Sequence, residues 1–233
     1  MDTKIVNYQN YYPIGDIIVV ALSAMILFLI VETFINKNKR FRIFQALAAM
    51  LCSAALCSLG YHQLVNHKPA EYVDQILLLY DLYHMLLYFI MYFFIYYVIE
   101  MLSLSGKTRR RIFLFIGPVT VCFTLLQFLS TFLKFGFHWS AEKGGFVEAF
   151  HLFIPAYAFY IGVVIYLLIR YHERMVPQIV RGLVTVFSIC VILLLIAGRH
   201  GQTSFTTFTF IMPSDVSNSL SSASFSSTLS KIG

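Results

Sequence analysis

The stretch DQILLLYDLYHMLLYFIMYFFIYYVIEML, residues 74–102, is apolar over almost its whole length. A helix needs about 20 mostly apolar residues to cross the hydrocarbon core of a bilayer. This stretch exceeds that length, and its interior contains only Asp81 and His84 as ionisable groups other than tyrosine. It therefore predicts a transmembrane helix with two polar side chains near one end.

Similar apolar stretches lie on both sides of this helix. Hydrophobic residues make up 59% of the 233-residue chain and charged residues 12%, whereas soluble domains average about 25% charged residues. Helices that are apolar on all sides bury themselves in lipid or in a large core. We therefore predict an all-α fold, a polytopic transmembrane helical bundle whose six full spans are 14–35, 43–65, 74–102, 112–135, 149–169 and 182–198.

The basic residues alternate between the two faces of the predicted bundle. Eleven of them fall in the loops after spans one, three and five, and five fall on the opposite face. The positive-inside rule then places the N-terminus outside and these three loops in the cytoplasm. The net charge of +6 is spread over short loops, so no basic domain for nucleic acid is expected.

A seventh apolar run begins at residue 205 and ends after residue 212. Its eight residues are too few for a crossing. Nine of the twenty residues from Ser214 to Gly233 are serine, a composition that predicts a disordered tail. Two interpretations remain open at this stage: a natural flexible tail, or a truncation or frameshift that removed the rest of the seventh span. The number of crossings decides on which side the tail lies.

Ionisable side chains within spans are costly and are candidates for function. Six of them share the depth near the predicted outer face and suggest one cavity that opens outward, and Tyr88 follows on the same helix face as two of them. The candidate ligand-pocket residues are Asp16, His62, Asp81, His84, Tyr88, Glu148 and His151.

Two of these residue pairs repeat an acid-x-x-His spacing, Asp81 with His84 and Glu148 with His151. Residues three apart on a helix share a face, and helical bundles use two such units with further carboxylates to hold paired metal ions. The further carboxylates are missing here, so we expect no metal and no cofactor. The simpler alternative is that Asp81 pairs with His84 and that Glu148 faces water.

The chain contains none of the common enzyme signatures. It has no nucleophile elbow, zinc-protease helix, phosphate loop or dinucleotide fingerprint. The four cysteines all fall inside apolar spans, which favours packing roles over disulfides. We therefore expect no catalytic residue and no enzymatic activity.

The layout of residues 1–213 resembles the N-terminal membrane modules of bacterial GGDEF diguanylate cyclases and histidine kinases. The resemblance rests on the span count, the orientation, the basic inner loops and the stretch Gln202-Thr-Ser-Phe-Thr-Thr-Phe208. It implies a sensor module in the bacterial cytoplasmic membrane whose output domain is absent from this sequence. The expected partners are the lipid bilayer, a small extracellular ligand and a second copy of the chain. The alternative is a small transporter or the substrate-binding subunit of one.

Overall fold

The computed structural model describes residues 13–32, 39–67, 69–102, 104–148 and 150–171. These residues form five helices and one two-stranded hairpin. The helices are α1 (Ile14–Glu32), α2 (Lys39–His67), α3 (Val73–Met101), α4 (Gly106–Phe132) and α5 (Phe153–Tyr171), and the strands are β1 (Phe137–Ser140) and β2 (Gly145–Glu148).

Four of these helices are long and apolar enough to cross a membrane: α2, α3, α4 and α5. The first helix contributes a shorter apolar stretch, Asp16–Phe28. The prediction of a helical membrane protein is therefore confirmed in this coarse form. The predicted span 182–198, the partial span 205–212 and the serine-rich tail 214–233 lie outside the described residues.

Helix α3 is the centre of the described bundle. It packs against α2, α4, α5 and β1, and α1 packs against α2. We call the end of the bundle that carries β1 and β2 the hairpin end. The opposite end, where Lys107, Arg109, Arg110 and Arg111 begin α4, is called the basic end.

Two apolar clusters fill the spaces around α3. Toward the basic end, Ile95 and Ile99 pack with Ile116 of α4 and Leu167 of α5. Toward the hairpin end, residues of α2 and α3 pack with Phe137 and Phe146 of the hairpin. The same central helix therefore belongs to both cores.

Apolar side chains also cover the outside of the bundle. On α4, Phe132 is 83% exposed and Leu114 is 65% exposed. Exposed apolar area on this scale is unusual for a soluble monomer and normal for a helix that contacts lipid. The exposed faces therefore agree with the membrane assignment made from helix length and composition.

A short link joins α3 to α4 at the basic end. The Ser105 hydroxyl accepts a hydrogen bond from the Thr108 N–H (3.5 Å) and so caps the start of α4. The Arg109 guanidinium donates to the Glu100 carboxylate across the link (3.0 Å). Because Arg109 is partly exposed, we expect this ion pair to add little to the stability of the fold. Its main effect is to hold the start of α4 against the end of α3.

The hairpin is absent from the all-α prediction. Residues 137–140 and 145–148 pair in antiparallel register, with Phe137 opposite Glu148 and Ser140 opposite Gly145, and Gly144 takes the left-handed conformation that the turn requires (φ 61°). The prediction that Glu148 opens the fifth span is therefore wrong: α5 begins at Phe153. Residues 145–148 pair with β1 in an extended conformation, which removes them from the helix.

Gly136, just before the hairpin, generates the first testable prediction. A Cβ atom at this position would lie 2.5 Å from the Ser130 hydroxyl oxygen and 2.9 Å from the Ser130 Cβ. We expect Gly136→Ala to force the hairpin away from α4 and to lower the free energy of unfolding by about 1–3 kcal/mol. The measurement is thermal unfolding of the purified protein in detergent.

Gly162→Ala is the matched control for this substitution. No atom lies within 4 Å of the Cβ that it adds, so alanine in the middle of α5 should be neutral or stabilising by about 0.5–1 kcal/mol. Equal stability changes in the two variants would contradict the close approach between Gly136 and Ser130.

Candidate functional site

The first group of predicted residues joins α1 to α2. Asp16 and His62 are both buried, and Ser58 lies between them on α2. The Ser58 hydroxyl donates to the Asp16 carboxylate (2.7 Å), and the His62 Nδ1–H donates to the Ser58 carbonyl oxygen one turn earlier (2.7 Å). The structure thus brings Asp16 and His62 into one polar contact region through a serine that the sequence analysis did not select.

The second group joins α3 to α4 and centres on Asp81. The Oδ1 atom of Asp81 accepts hydrogen bonds from the Gln127 amide (3.0 Å) and from the Thr131 hydroxyl (2.7 Å). The alternative that Asp81 pairs with His84 is therefore wrong. The His84 Nδ1–H instead donates to the Tyr80 carbonyl oxygen (2.9 Å), and both donors to Asp81 come from α4.

Tyr88 belongs to this second group through Gln127. The Tyr88 hydroxyl donates to the Gln127 side-chain oxygen (3.1 Å), so a single amide connects Tyr88 and Asp81. Gln127 and Thr131 were missed in the sequence analysis, which considered only ionisable groups. The signal was nevertheless present, since Gln127 is the only amide side chain in the 27 residues of α4.

The third group lies under the hairpin. The Tyr80 hydroxyl donates to the Glu148 carboxylate (2.6 Å), and the His151 Nδ1–H donates to the same oxygen, Oε1 (2.9 Å). The Glu148 side chain is only 11% exposed, whereas that of His151 is 61% exposed. The alternative that Glu148 simply faces water is therefore wrong.

Glu148 and His151 are neighbours for a different reason from the predicted one. We predicted that they share a helix face, but Glu148 ends β2 and His151 lies in the connection before α5. The connection between β2 and α5 brings the side chains of Glu148 and His151 into contact. The hydrogen bond from His151 to Glu148 raises the pKa of the His151 imidazole above its usual range, because it favours the charged ring.

His84 lies next to the third group and is enclosed by aromatic rings. Its imidazole centroid is 4.2 Å from that of Tyr80, 4.9 Å from that of Tyr83 and 5.9 Å from that of Phe153. Tyr80 therefore contacts His84 with its ring and Glu148 with its hydroxyl. The ring of Phe137 stacks on Tyr80 (4.1 Å), which places the hairpin directly over this helix.

Two of the cavities lined by described residues lie beside α4. The one near the hairpin end has a volume of about 550 Å³, and its apolar walls are formed by Leu77, Phe128, Leu129 and Phe132. Asp81, Thr131 and Lys134 supply its polar lining. The other, of about 580 Å³, lies between α4 and α5 at the basic end and is mostly apolar.

The seven predicted residues thus form three groups in the described structure. Asp16 and His62 lie between α1 and α2, and Asp81 and Tyr88 lie between α3 and α4. Glu148 and His84 contact Tyr80, and His151 joins this third group through Glu148. Within the residues that the structure places, no three histidine, cysteine or acidic side chains are arranged to hold a metal ion.

Comparisons with known proteins returned no match: no family model, no curated protein and no solved structure is detectably similar to the chain.

The Gln127 amide generates the second testable prediction. Replacing it by leucine removes one donor to Asp81 and the acceptor for the Tyr88 hydroxyl, both of which are buried. Buried polar groups that lose a partner cost about 1–3 kcal/mol each, so we expect Gln127→Leu to lower the free energy of unfolding by at least about 1 kcal/mol. Thermal unfolding in detergent measures the effect.

Gln63→Leu is the matched control, because it makes the same chemical change at an exposed position of α2. We expect its free energy of unfolding to stay within about 0.5 kcal/mol of the original. Similar losses in the two variants would show that the Gln127 bridge contributes nothing specific.

Proposed function

We propose that this chain is the membrane-embedded sensor, or input module, of a bacterial signal-transduction protein. In this proposal the hairpin end faces the outside of the cytoplasmic membrane and receives the stimulus. Helix α3 passes the response to the basic end in the cytoplasm, where the output partner would read it. The lipid bilayer and a second copy of the chain are the other partners that the proposal includes.

One observation carries this proposal. The exposed His151 contacts Glu148, and Glu148 accepts a hydrogen bond from Tyr80 of the central helix. A change of charge or a bound ligand at His151 would therefore act on α3 through one carboxylate. Tyr80 is itself buried between the stacked Phe137 ring and the His84 ring, so a shift of the hairpin changes the packing of the helix.

The opposite end of α3 supports the same direction of signalling. Glu100 lies one residue before the end of the helix and pairs with Arg109 at the start of α4. The basic first turns of α4 are thus tied to the helix that the hairpin contacts. A small rotation or translation of α3 would move the start of α4, as in helix shifts of other switching proteins.

The pH dependence of the hairpin contact provides the third testable prediction. Because the pKa of His151 is raised in the folded state, its ion pair with Glu148 is complete below the ordinary histidine pKa of about 6.5 and is lost as the pH rises through the raised value. The nearby groups that bear on this titration are Glu148, His84 and Tyr80. The fluorescence of Trp139 on β1, the only tryptophan of the chain, should change when this ion pair is lost.

The experiment uses the full chain in lipid nanodiscs between pH 6 and 9. We expect the Trp139 emission and the rate of tryptic cleavage at residues 107–111 to change together as the pH rises. The cleavage rate should change by about threefold, the scale of one partly exposed ion pair. At each pH the rates are divided by those of His151→Gln, which removes the pH dependence of trypsin itself.

His67→Gln is the control at a second exposed histidine, the last residue of α2. It should keep the pH response that His151→Gln loses. A Trp139 response without any change in cleavage at the basic end would contradict the transmission of a signal through α3.

The alternative function, a small transporter, is favoured by Asp81. This carboxylate is buried within a predicted span, and in the described part of the chain its hydrogen-bond donors are the neutral Gln127 and Thr131. Intramembrane acids often mark proton or cation pathways. The sensor proposal does not require ions to cross the membrane.

Proton flux separates the two functions and is the fourth testable prediction. Proteoliposomes that enclose a pH-sensitive dye are given a pH step in the presence of valinomycin and potassium. The sensor proposal predicts the same rate of pH change as in empty liposomes. A faster rate of pH change would favour the transporter if Asp81→Asn abolishes it. Asp74→Asn, at the exposed start of α3, is the control and should leave this faster rate intact.

A further inference from the structure

The cavity between α3 and α4 at the hairpin end contains two opposite charges that do not touch. Asp81 and Lys134 both line it, yet no ion pair within 4 Å joins these two described residues. Lys134, two residues after the end of α4, has a left-handed backbone conformation (φ 60°). About 550 Å³ of space, within the range of ligand pockets, therefore lies beside an acid and a base.

The carboxylate of Asp81 still has capacity to accept hydrogen bonds. Its Oδ1 atom accepts both hydrogen bonds from α4. Within the described residues, no hydrogen-bond donor contacts its Oδ2 atom. Asp81 is buried, with only 5% of its surface exposed. A carboxylate so placed favours a ligand that brings its own donor or positive charge.

The walls of the cavity continue into the lipid-facing surface of α4. Phe132 is 83% exposed, and Phe128 and Leu129 are also exposed. The cavity thus opens sideways toward the bilayer as well as toward the hairpin end. Its occupant should accordingly combine a zwitterionic head with an apolar chain.

The depth of Asp81 agrees with the position of a lipid headgroup. The 29 residues of α3 extend about 43 Å, at 1.5 Å per residue, and exceed the hydrocarbon core of about 30 Å by roughly 13 Å. Asp81 lies eight residues after Val73, or about 12 Å along the helix. If the excess is shared by both ends, Asp81 lies only about 5 Å inside the hydrocarbon boundary.

We propose that this cavity binds a phospholipid of the surrounding leaflet whose headgroup carries a primary ammonium and a phosphate, as in phosphatidylethanolamine. The ammonium donates to Asp81 Oδ2, the phosphate pairs with Lys134, and an acyl chain lies along Phe128 and Phe132. A trimethylammonium head lacks the N–H donors that Asp81 needs, and a glycerol head lacks the positive charge. The proposal is independent of the sensor function.

The test is native mass spectrometry of the full chain released from mixed micelles that contain equal amounts of phosphatidylethanolamine, phosphatidylcholine and phosphatidylglycerol. We expect one phosphatidylethanolamine to be retained in preference to the other two. Asp81→Asn should reduce this retention about tenfold, the effect of losing a charge-assisted hydrogen bond. Lys134→Gln should reduce it about fivefold.

Asp74→Asn and Lys107→Gln are the matched controls, since both residues are exposed and lie outside the cavity. They should retain the lipid as the unmodified chain does. The comparison of the three lipids on the unmodified chain needs no variant, so the test stands even if Asp81→Asn fails to fold.

Three results would overturn the proposal. Equal retention of the three lipids would show that the headgroup is not recognised, as expected if another part of the protein or a second copy fills the cavity. A preference that survives in both Asp81→Asn and Lys134→Gln would place the lipid elsewhere. Displacement by an equimolar amount of soluble glycerophosphoethanolamine would show that the acyl chain contributes nothing and that the ligand is not a membrane lipid.

Discussion

Polar groups within a bilayer have no water to bind and must find partners inside the protein. The described bundle meets this requirement around α3, where the side chains of Tyr80, Asp81 and Tyr88 all reach residues outside their own helix. Tyr80 binds Glu148 of the hairpin, and Asp81 and Tyr88 share Gln127 of α4. Because lipid supplies no hydrophobic force between helices, such bonds and close packing hold the helices together.

This requirement also explains why the predicted pocket divides into three groups. A histidine within a helix can donate to the carbonyl oxygen one turn earlier, as both His62 and His84 do. Each acid is then left to bind donors from a neighbouring element. Asp16 binds Ser58, Asp81 binds Gln127 and Thr131, and Glu148 binds Tyr80 and His151. Polar residues at one depth therefore join separate pairs of elements.

The proposed functions use different parts of this arrangement. The sensor proposal depends on the exposed His151 and the hairpin, whereas the lipid proposal depends on the second carboxylate oxygen of Asp81 and the lateral cavity. The two regions meet at α3, where Tyr80 and Asp81 are adjacent in the chain and have different partners. A lipid at Asp81 would thus contact α3, the helix that transmits the signal in the sensor proposal.

The sequence by itself determined the membrane class, the four long apolar helices and the buried polar residues Asp81 and His84 of α3. Apolar length and charge depend on local composition, so they can be recognised without the fold. The tertiary structure alone decided that residues 137–148 form a hairpin, that Gln127 connects Asp81 to Tyr88, and that Glu148 binds Tyr80. These contacts join residues 39 to 68 positions apart or depend on strand pairing. Which neighbouring helix or hairpin satisfies a buried polar group is set by packing between elements, and a single sequence contains no local signal for it.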